Sequence, residues 1–133
     1  MNVKNINSLV AYSLIMADKD AVLIDVRTQE EWKTTGVPCL SDNNKVVFLS
    51  WQLAPNMLLN KDFEPQFISS IKNTKSNIFF LCRSGYRSLS AATFIAQVNC
   101  ENGGYKNCYN IIDGFEGNNR DIGWKQNNLP WQL

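Results

Sequence analysis

Four short apolar runs punctuate this chain: Ala21-Val22-Leu23-Ile24, Val46-Val47-Phe48-Leu49, Ile78-Phe79-Phe80-Leu81 and Tyr109-Asn110-Ile111-Ile112. Runs of this length, bounded by polar residues, fit strands buried on both faces. Helical spacing fills the intervals. Leu9, Val10, Leu14 and Ala17 are spaced to share a face, with Asn7 or Ser8 as cap. Thr28 suits an N-cap, Glu30 and Glu31 suit the first turn behind it, and Gly36 and Pro38 stop that helix. Phe63, Phe67, Ile68 and Ile71 mark a third helix, and Ser88 to Val98 reads as a fourth, followed by the turn-rich Asn102-Gly103-Gly104. The stretch after Leu49, broken by Pro55, reads as loop. Strands alternating with helices imply an α/β fold: a mostly parallel sheet with helices on both faces and sites at the carboxyl ends of the strands. Asp25, Ser50, Cys82 and Asp113 fall at those ends.

Composition narrows the classes. With 133 residues, 44% of them hydrophobic, the expectation is one domain spanning 1–133. A net charge of +1 supplies no general basic field for nucleic acid. No apolar run reaches the ~18 residues of a membrane span, and Leu9 to Ala17 reads better as a helix than as a signal-peptide core. The expectation is a cytoplasmic protein with reduced thiols and no membrane partner. Cys39, Cys82, Cys100 and Cys108 form no C-x-x-C pair, and the chain has no histidine, so no metal is expected.

Cys82 stands apart from the other cysteines. It follows a strand-like run and opens the polar segment Cys82-Arg83-Ser84-Gly85-Tyr86-Arg87, directly ahead of a helix. A cysteine at a strand-to-helix turn meets backbone N–H groups and the positive end of the helix dipole, and two arginines add full charges. Such surroundings favour the thiolate, the nucleophilic form, with no histidine base beside it. The bland alternative is a small apolar residue closing a buried strand, as unpaired cysteines often are. Against that, the residues after Cys82 offer almost nothing apolar to bury, and Gly85 permits the torsions of a tight anion-cradling loop.

The ordered set Leu23-Ile24-Asp25-Val26-Arg27-Thr28 with Glu31-Trp32, Cys82-Arg83-Ser84-Gly85-Tyr86-Arg87-Ser88, Asp113-Gly114-Phe115-Glu116-Gly117, Gly123-Trp124 and Leu129-Pro130-Trp131 resembles a single-domain rhodanese, a sulfurtransferase. The resemblance spans roughly residue 5 to the C-terminus. It implies a rhodanese-like three-layer fold with a central parallel sheet of about five strands. It also implies sulfane sulfur carried as a persulfide on Cys82, with no separate cofactor, from thiosulfate or a persulfide donor to cyanide, a small thiol or a protein thiol. By the same likeness the N–H groups from Arg83 to Ser88 form the cradle, including Ser84, Gly85 and Tyr86. Arg83 is a donor-anion binder, and Arg87 a loop-ordering or anion-facing charge. Asp25 and Arg27 form a structural bracket that reaches neighbouring loops and Glu31. Tyr86 either walls the mouth of the site or tucks inward.

Two other readings stay in view. One is a sulfur-relay or interaction module with little small-molecule turnover, which would also keep Cys82; a silent binding domain is disfavoured by the presence of that cysteine. The other is a cysteine-based phosphatase or arsenate reductase. Those resemble Cys, five residues, Arg, whereas four residues separate Cys82 from Arg87, and Leu81 holds the place of their usual histidine. A tetrahedral phosphate needs the wider ring. Gly36-Val37-Pro38 departs from the rhodanese Gly-His-Ile-Pro. Cys39, Cys100 and Cys108 default to ordinary thiols, with Cys39 the first suspect for a resolving role. The four tryptophans are assigned to packing.

Overall fold

The structure is a computed structural model that describes residues 3–42, 45–98 and 103–133. In chain order its elements are β1 (Val3–Ile6), α1 (Ser8–Ala17), β2 (Val22–Asp25), α2 (Gln29–Thr35), β3 (Val37–Pro38), β4 (Val46–Phe48) and β5 (Gln52–Leu53). They continue with β6 (Leu58–Leu59), α3 (Phe63–Ser70), β7 (Ile78–Leu81), α4 (Tyr86–Ala96), β8 (Cys108–Ile111) and β9 (Trp131–Gln132). Five strands form one parallel sheet in the order β1-β8-β7-β2-β4, as the rhodanese likeness implies.

The central strand β7 shows why the pattern was readable. All four of its residues are buried, and alternation sends Ile78 and Phe80 to one face and Phe79 and Leu81 to the other. On the first face they join Ile24, Phe63, Phe67, Ala92 and Ile95 from β2, α3 and α4; on the second they join Ala11, Ile15, Phe115 and Trp124. Each buried large side chain contributes about 1.5–3 kcal/mol, so a strand filled on both sides anchors two layers at once. Cys82 continues the Ile78/Phe80 alternation and belongs to the first cluster.

Several expectations need correction. The strand β1 was not read from the pattern, because Val3-Lys4-Asn5-Ile6 is an edge strand with exposed Lys4 and Asn5, paired only with β8. The supposed loop around Pro55 holds the antiparallel hairpin β5–β6, and Val37–Pro38 pairs with Trp131–Gln132. In α1 the buried residues are Ser8, Ala11 and Ile15, whereas Leu9, Val10 and Leu14 are exposed. The rotation follows from a polar anchor: Ser8 donates to Asp113 through its backbone N–H at 2.8 Å and its Oγ at 2.7 Å, with small Ala11 beneath. Finally, α4 begins at Tyr86, two residues before the expected Ser88. Its N-cap Gly85 is left-handed at φ 102°, a turn that glycine makes without strain.

Candidate active site

Cys82 lies just past the carboxyl end of β7 and only Arg83, Ser84 and Gly85 separate it from α4. Its Sγ accepts from Gly85 N–H at 3.2 Å and lies 3.2 Å from Ser88 Oγ in the first turns of the helix. Glycine is required at 85 by space as well as torsion: a Cβ there would fall 2.2 Å from the Ile112 carbonyl oxygen. The residue is 1% exposed, so the sulfur sits beneath its loop rather than on it.

The segment after β8 braces that loop from behind. Phe115 N–H donates to Cys82 O at 2.8 Å, Glu116 N–H to Arg83 O at 2.9 Å, and Asn118 Nδ2 to Ser84 O at 3.1 Å. Gly114 allows the approach, since a Cβ there would stand 2.3 Å from Arg83 O. Three consecutive loop carbonyls are thereby bonded to the segment after β8, while Gly85 N–H is the loop donor that meets the sulfur. The Asp113-to-Gly117 motif therefore has a structural reason: it is the loop's scaffold.

The two loop arginines differ. Arg87 donates to both carboxylate oxygens of Glu31 at 2.7 and 2.8 Å, a fork that ties α4 to α2. Burial opposes the Glu31 charge, but hydrogen bonds from Arg87 and Thr28 outweigh it and hold the carboxyl below its ordinary range. The partner effect on Arg87 is upward, chiefly through Glu31, with smaller contributions from Cys82 and Asp25. Arg83 is 65% exposed and 3.4 Å from Glu116, a loose pair. A pocket of about 420 Å³ opens among Glu31, Thr35, Met57, Arg83, Arg87 and Glu116. A second, about 660 Å³, lies against Gly85, Tyr86, Asn110 and Arg120. Tyr86, 74% exposed on the first turn of α4, borders this second pocket rather than tucking inward.

Asp25 and Arg27 form a closed ion pair of 2.7 Å, both fully buried. Arg27 also donates to Thr35 Oγ1 at 3.0 Å and Gly36 O at 2.9 Å, and its guanidinium stacks 4.2 Å above Phe115. These contacts link the end of β2 to the end of α2 and to the segment after β8. Glu31 is not part of it, being taken by Arg87. Ser50 donates to Arg27 O at 2.8 Å, and Asp113 holds α1; burial pushes the Asp113 carboxyl upward, against its bonds from Ser8.

Cys108 lies at the far end of the strands, and burial pushes its thiol up to about 12. Cys39 is partly exposed and unbridged, and Cys100 lies outside the described residues. Among the described residues no helix is long and apolar enough to cross a membrane. Residue-type reasoning missed Asn110, gave no role to Gly114 within its motif, and missed Asn118. The first carried a readable signal, an amide inside a buried strand; the other two depend on a contact between segments far apart in sequence.

A five-stranded parallel sheet with a cysteine at the turn into α4 defines a rhodanese-like fold. The Mycobacterium tuberculosis protein Rv0390 superposes with a TM-score of 0.83 at 33% identity, covering 97% of this chain and 96% of that one. The Wolinella succinogenes polysulfide-sulfur transferase homodimer follows at 0.73 and 21%, covering 98% and 79%. A rhodanese-like domain protein from Staphylococcus aureus gives 0.59 and 19%, covering 90% and 95%. The signature of the STR4 middle domain matches residues 4–133, and the chain belongs to that family. An uncharacterized Rickettsia conorii protein is 59% identical over the full length of both chains.

Proposed function

We propose that this protein is a rhodanese-type sulfurtransferase that carries sulfane sulfur as a persulfide on Cys82. The observation that carries the reading is the position of Sγ: 3.2 Å from the Gly85 N–H, at the N-terminus of an 11-residue helix whose second residue is Arg87. The Cys82 thiolate attacks the outer sulfur of thiosulfate; a new S–S bond forms, the old one breaks, and sulfite departs with its electron pair. The persulfide keeps the negative charge, and its outer sulfur takes the acceptor position at the first turn of α4, where Gly85 brings no side chain to cap the N–H groups. Cyanide or a thiolate then attacks that outer sulfur and the Cys82 thiolate is restored. Arg83, exposed and loosely paired, is the charge positioned to meet the donor anion, while Arg87 orders the loop through Glu31. The persulfide is the carrier, so the cycle needs no cofactor or metal.

Steady-state kinetics with thiosulfate and cyanide test this reading. Parallel double-reciprocal lines, the mark of a two-step exchange, are expected; intersecting lines or no thiocyanate would overturn it.

One observation favours a protein thiol as the acceptor, the sulfur-relay reading. The β5–β6 hairpin exposes Leu53, Met57, Leu58 and Leu59, and Met57 borders the pocket that Arg83 and Arg87 line. An apolar rim beside a polar mouth fits a macromolecular partner better than cyanide. Leu58→Ser with Leu59→Ser is expected to slow discharge to a protein thiol while leaving discharge to cyanide unchanged; equal effects on both acceptors would remove this reading.

A further inference from the structure

A buried chain of polar side chains runs from the sulfur into the sheet. Ser88 Oγ lies 3.2 Å from Cys82 Sγ and 2.6 Å from Asn110 Oδ1; Asn110 Nδ2 in turn lies 3.2 Å from Gly85 O and 3.0 Å from Asn5 Oδ1. Ser88 and Asn110 are essentially inaccessible to solvent. The Gly85 carbonyl only accepts, so the Asn110 amide must present its NH₂ there and its oxygen to Ser88. A hydroxyl has a single proton, and at 2.6 Å from an oxygen that can only accept, Ser88 spends it on Asn110. Ser88 therefore meets the sulfur with a lone pair. That lone pair suits a thiol, which can donate to it, and opposes an anion.

We propose that Asn110 is a positioning residue that sets the direction of the Ser88 hydroxyl and thereby holds Cys82 protonated at rest. The chain at rest runs Cys82 S–H to Ser88 Oγ–H to Asn110 Oδ1. When the sulfur gives its proton to water and becomes a thiolate, or after transfer carries the persulfide anion, Ser88 turns its hydrogen to the sulfur and Asn110 Oδ1 loses its donor. Ser88 is a two-position rotor, and Asn110 weights it toward the resting position, against the Gly85 N–H that favours the anion. The inference rests on Cys82 being the reactive thiol and not on any particular sulfur donor.

The titratable and charged groups around this rotor are Arg83 and Arg87 on the loop and α4, their partners Glu116 and Glu31, Tyr86 on α4, the Asp25–Arg27 pair at the end of β2, Asp113 after β8, and Arg120 and Asp121 across the pocket that Asn110 borders. The test is the pH profile of Cys82 alkylation by iodoacetamide, with the site read by peptide mass, in wild type, Asn110→Leu, Ser88→Ala and the double variant. Asn110→Leu removes the acceptor, frees the hydroxyl for the sulfur, and is expected to shift the profile to lower pH, raising the rate at pH 7 several-fold. In the Ser88→Ala background the same substitution is expected to shift nothing. A merely structural Asn110 would give no downward shift, or the same shift with and without Ser88; either result overturns the proposal.

Should Asn110→Leu fail to fold, the S–H stretch of the resting protein decides, with the Cys82 band identified by its loss in Cys82→Ala. A hydrogen-bond donor's lowered frequency is expected, rising in Ser88→Ala. A band that Ser88→Ala leaves in place would overturn the assignment. Neither readout involves sulfur transfer, so an inactive sulfurtransferase cycle and an unanchored rotor are told apart.

Discussion

Cys82 and Cys108 are each 1% exposed and belong to the same apolar cluster, one just past the end of β7 and the other at the start of its neighbour β8, yet their surroundings are opposite. Cys108 opens β8 beside Ile78 at the amino end of the sheet. Among the described residues its Sγ has a long 4.0 Å contact to Tyr105 O, an acceptor, and burial pushes its thiol up to about 12. Cys82, at the carboxyl end, has a backbone N–H and a hydroxyl at 3.2 Å and the N-terminus of α4 behind them. Burial is common to both, so burial does not distinguish an inert sulfur from a candidate nucleophile. What differs is which end of a parallel sheet holds the sulfur, because helix N-termini and their N–H groups gather only at the carboxyl end.

Cys82→Ala and Cys108→Ala should separate the two sulfurs by the largest margin. The first is expected to abolish sulfur transfer with the fold intact, and the second to retain transfer at a cost of about 1 kcal/mol in denaturant unfolding. Gly85→Ala comes next. A Cβ 2.2 Å from Ile112 O at a left-handed torsion is expected to cost at least about 2 kcal/mol in urea titration and to slow Cys82 alkylation. Arg87→Ala, which leaves Glu31 half-buried without its fork, is expected to cost about 1–2 kcal/mol by the same titration.

The acid side sharpens that ion pair. The Glu31 carboxyl is held below its ordinary value in the folded state, so its stabilisation is whole above about pH 4.3 and drains away as pH falls through the lower folded value. Glu31→Gln is expected to flatten this part of the stability-versus-pH curve, measured by thermal melts from pH 6 to 3; an unchanged slope would show that the pair does not contribute. The smallest effect belongs to Asn118→Ala, about 1 kcal/mol from the lost bond to Ser84 O, visible as faster hydrogen exchange in the loop.

The strands β2, β4, β7 and β8 were legible because each lies in a largely apolar run, and β7, central in the sheet, is apolar and buried on both faces. Lys4 and Asn5 hid β1, since an edge strand needs no such run. The face of α1 was misread because Leu9, Val10 and Leu14 outweigh Ala11 in hydrophobicity, while the rotation is set by Ser8 bonding Asp113, 105 residues away. At the site, Cys82 and the loop glycine could be read from residue type. Gly114, Phe115 and Glu116 stood out as a motif, but their role as a scaffold, and Asn118 altogether, could not be read, because its bonds are backbone and amide contacts made across the sheet's end. The early start of α4 followed the same logic: Gly85 serves as the cap, and its left-handed torsion moves Tyr86 and Arg87 from the loop into the helix.

Intact mass of the protein, taken before and after thiosulfate or polysulfide and again after cyanide, separates the two sulfurs when wild type, Cys82→Ala and Cys108→Ala are run together. A gain of one sulfur atom is expected on wild type and Cys108→Ala, none on Cys82→Ala, with its removal by cyanide as thiocyanate. A gain that survives in Cys82→Ala, or no gain on wild type from either donor, would rule out a persulfide carried on Cys82.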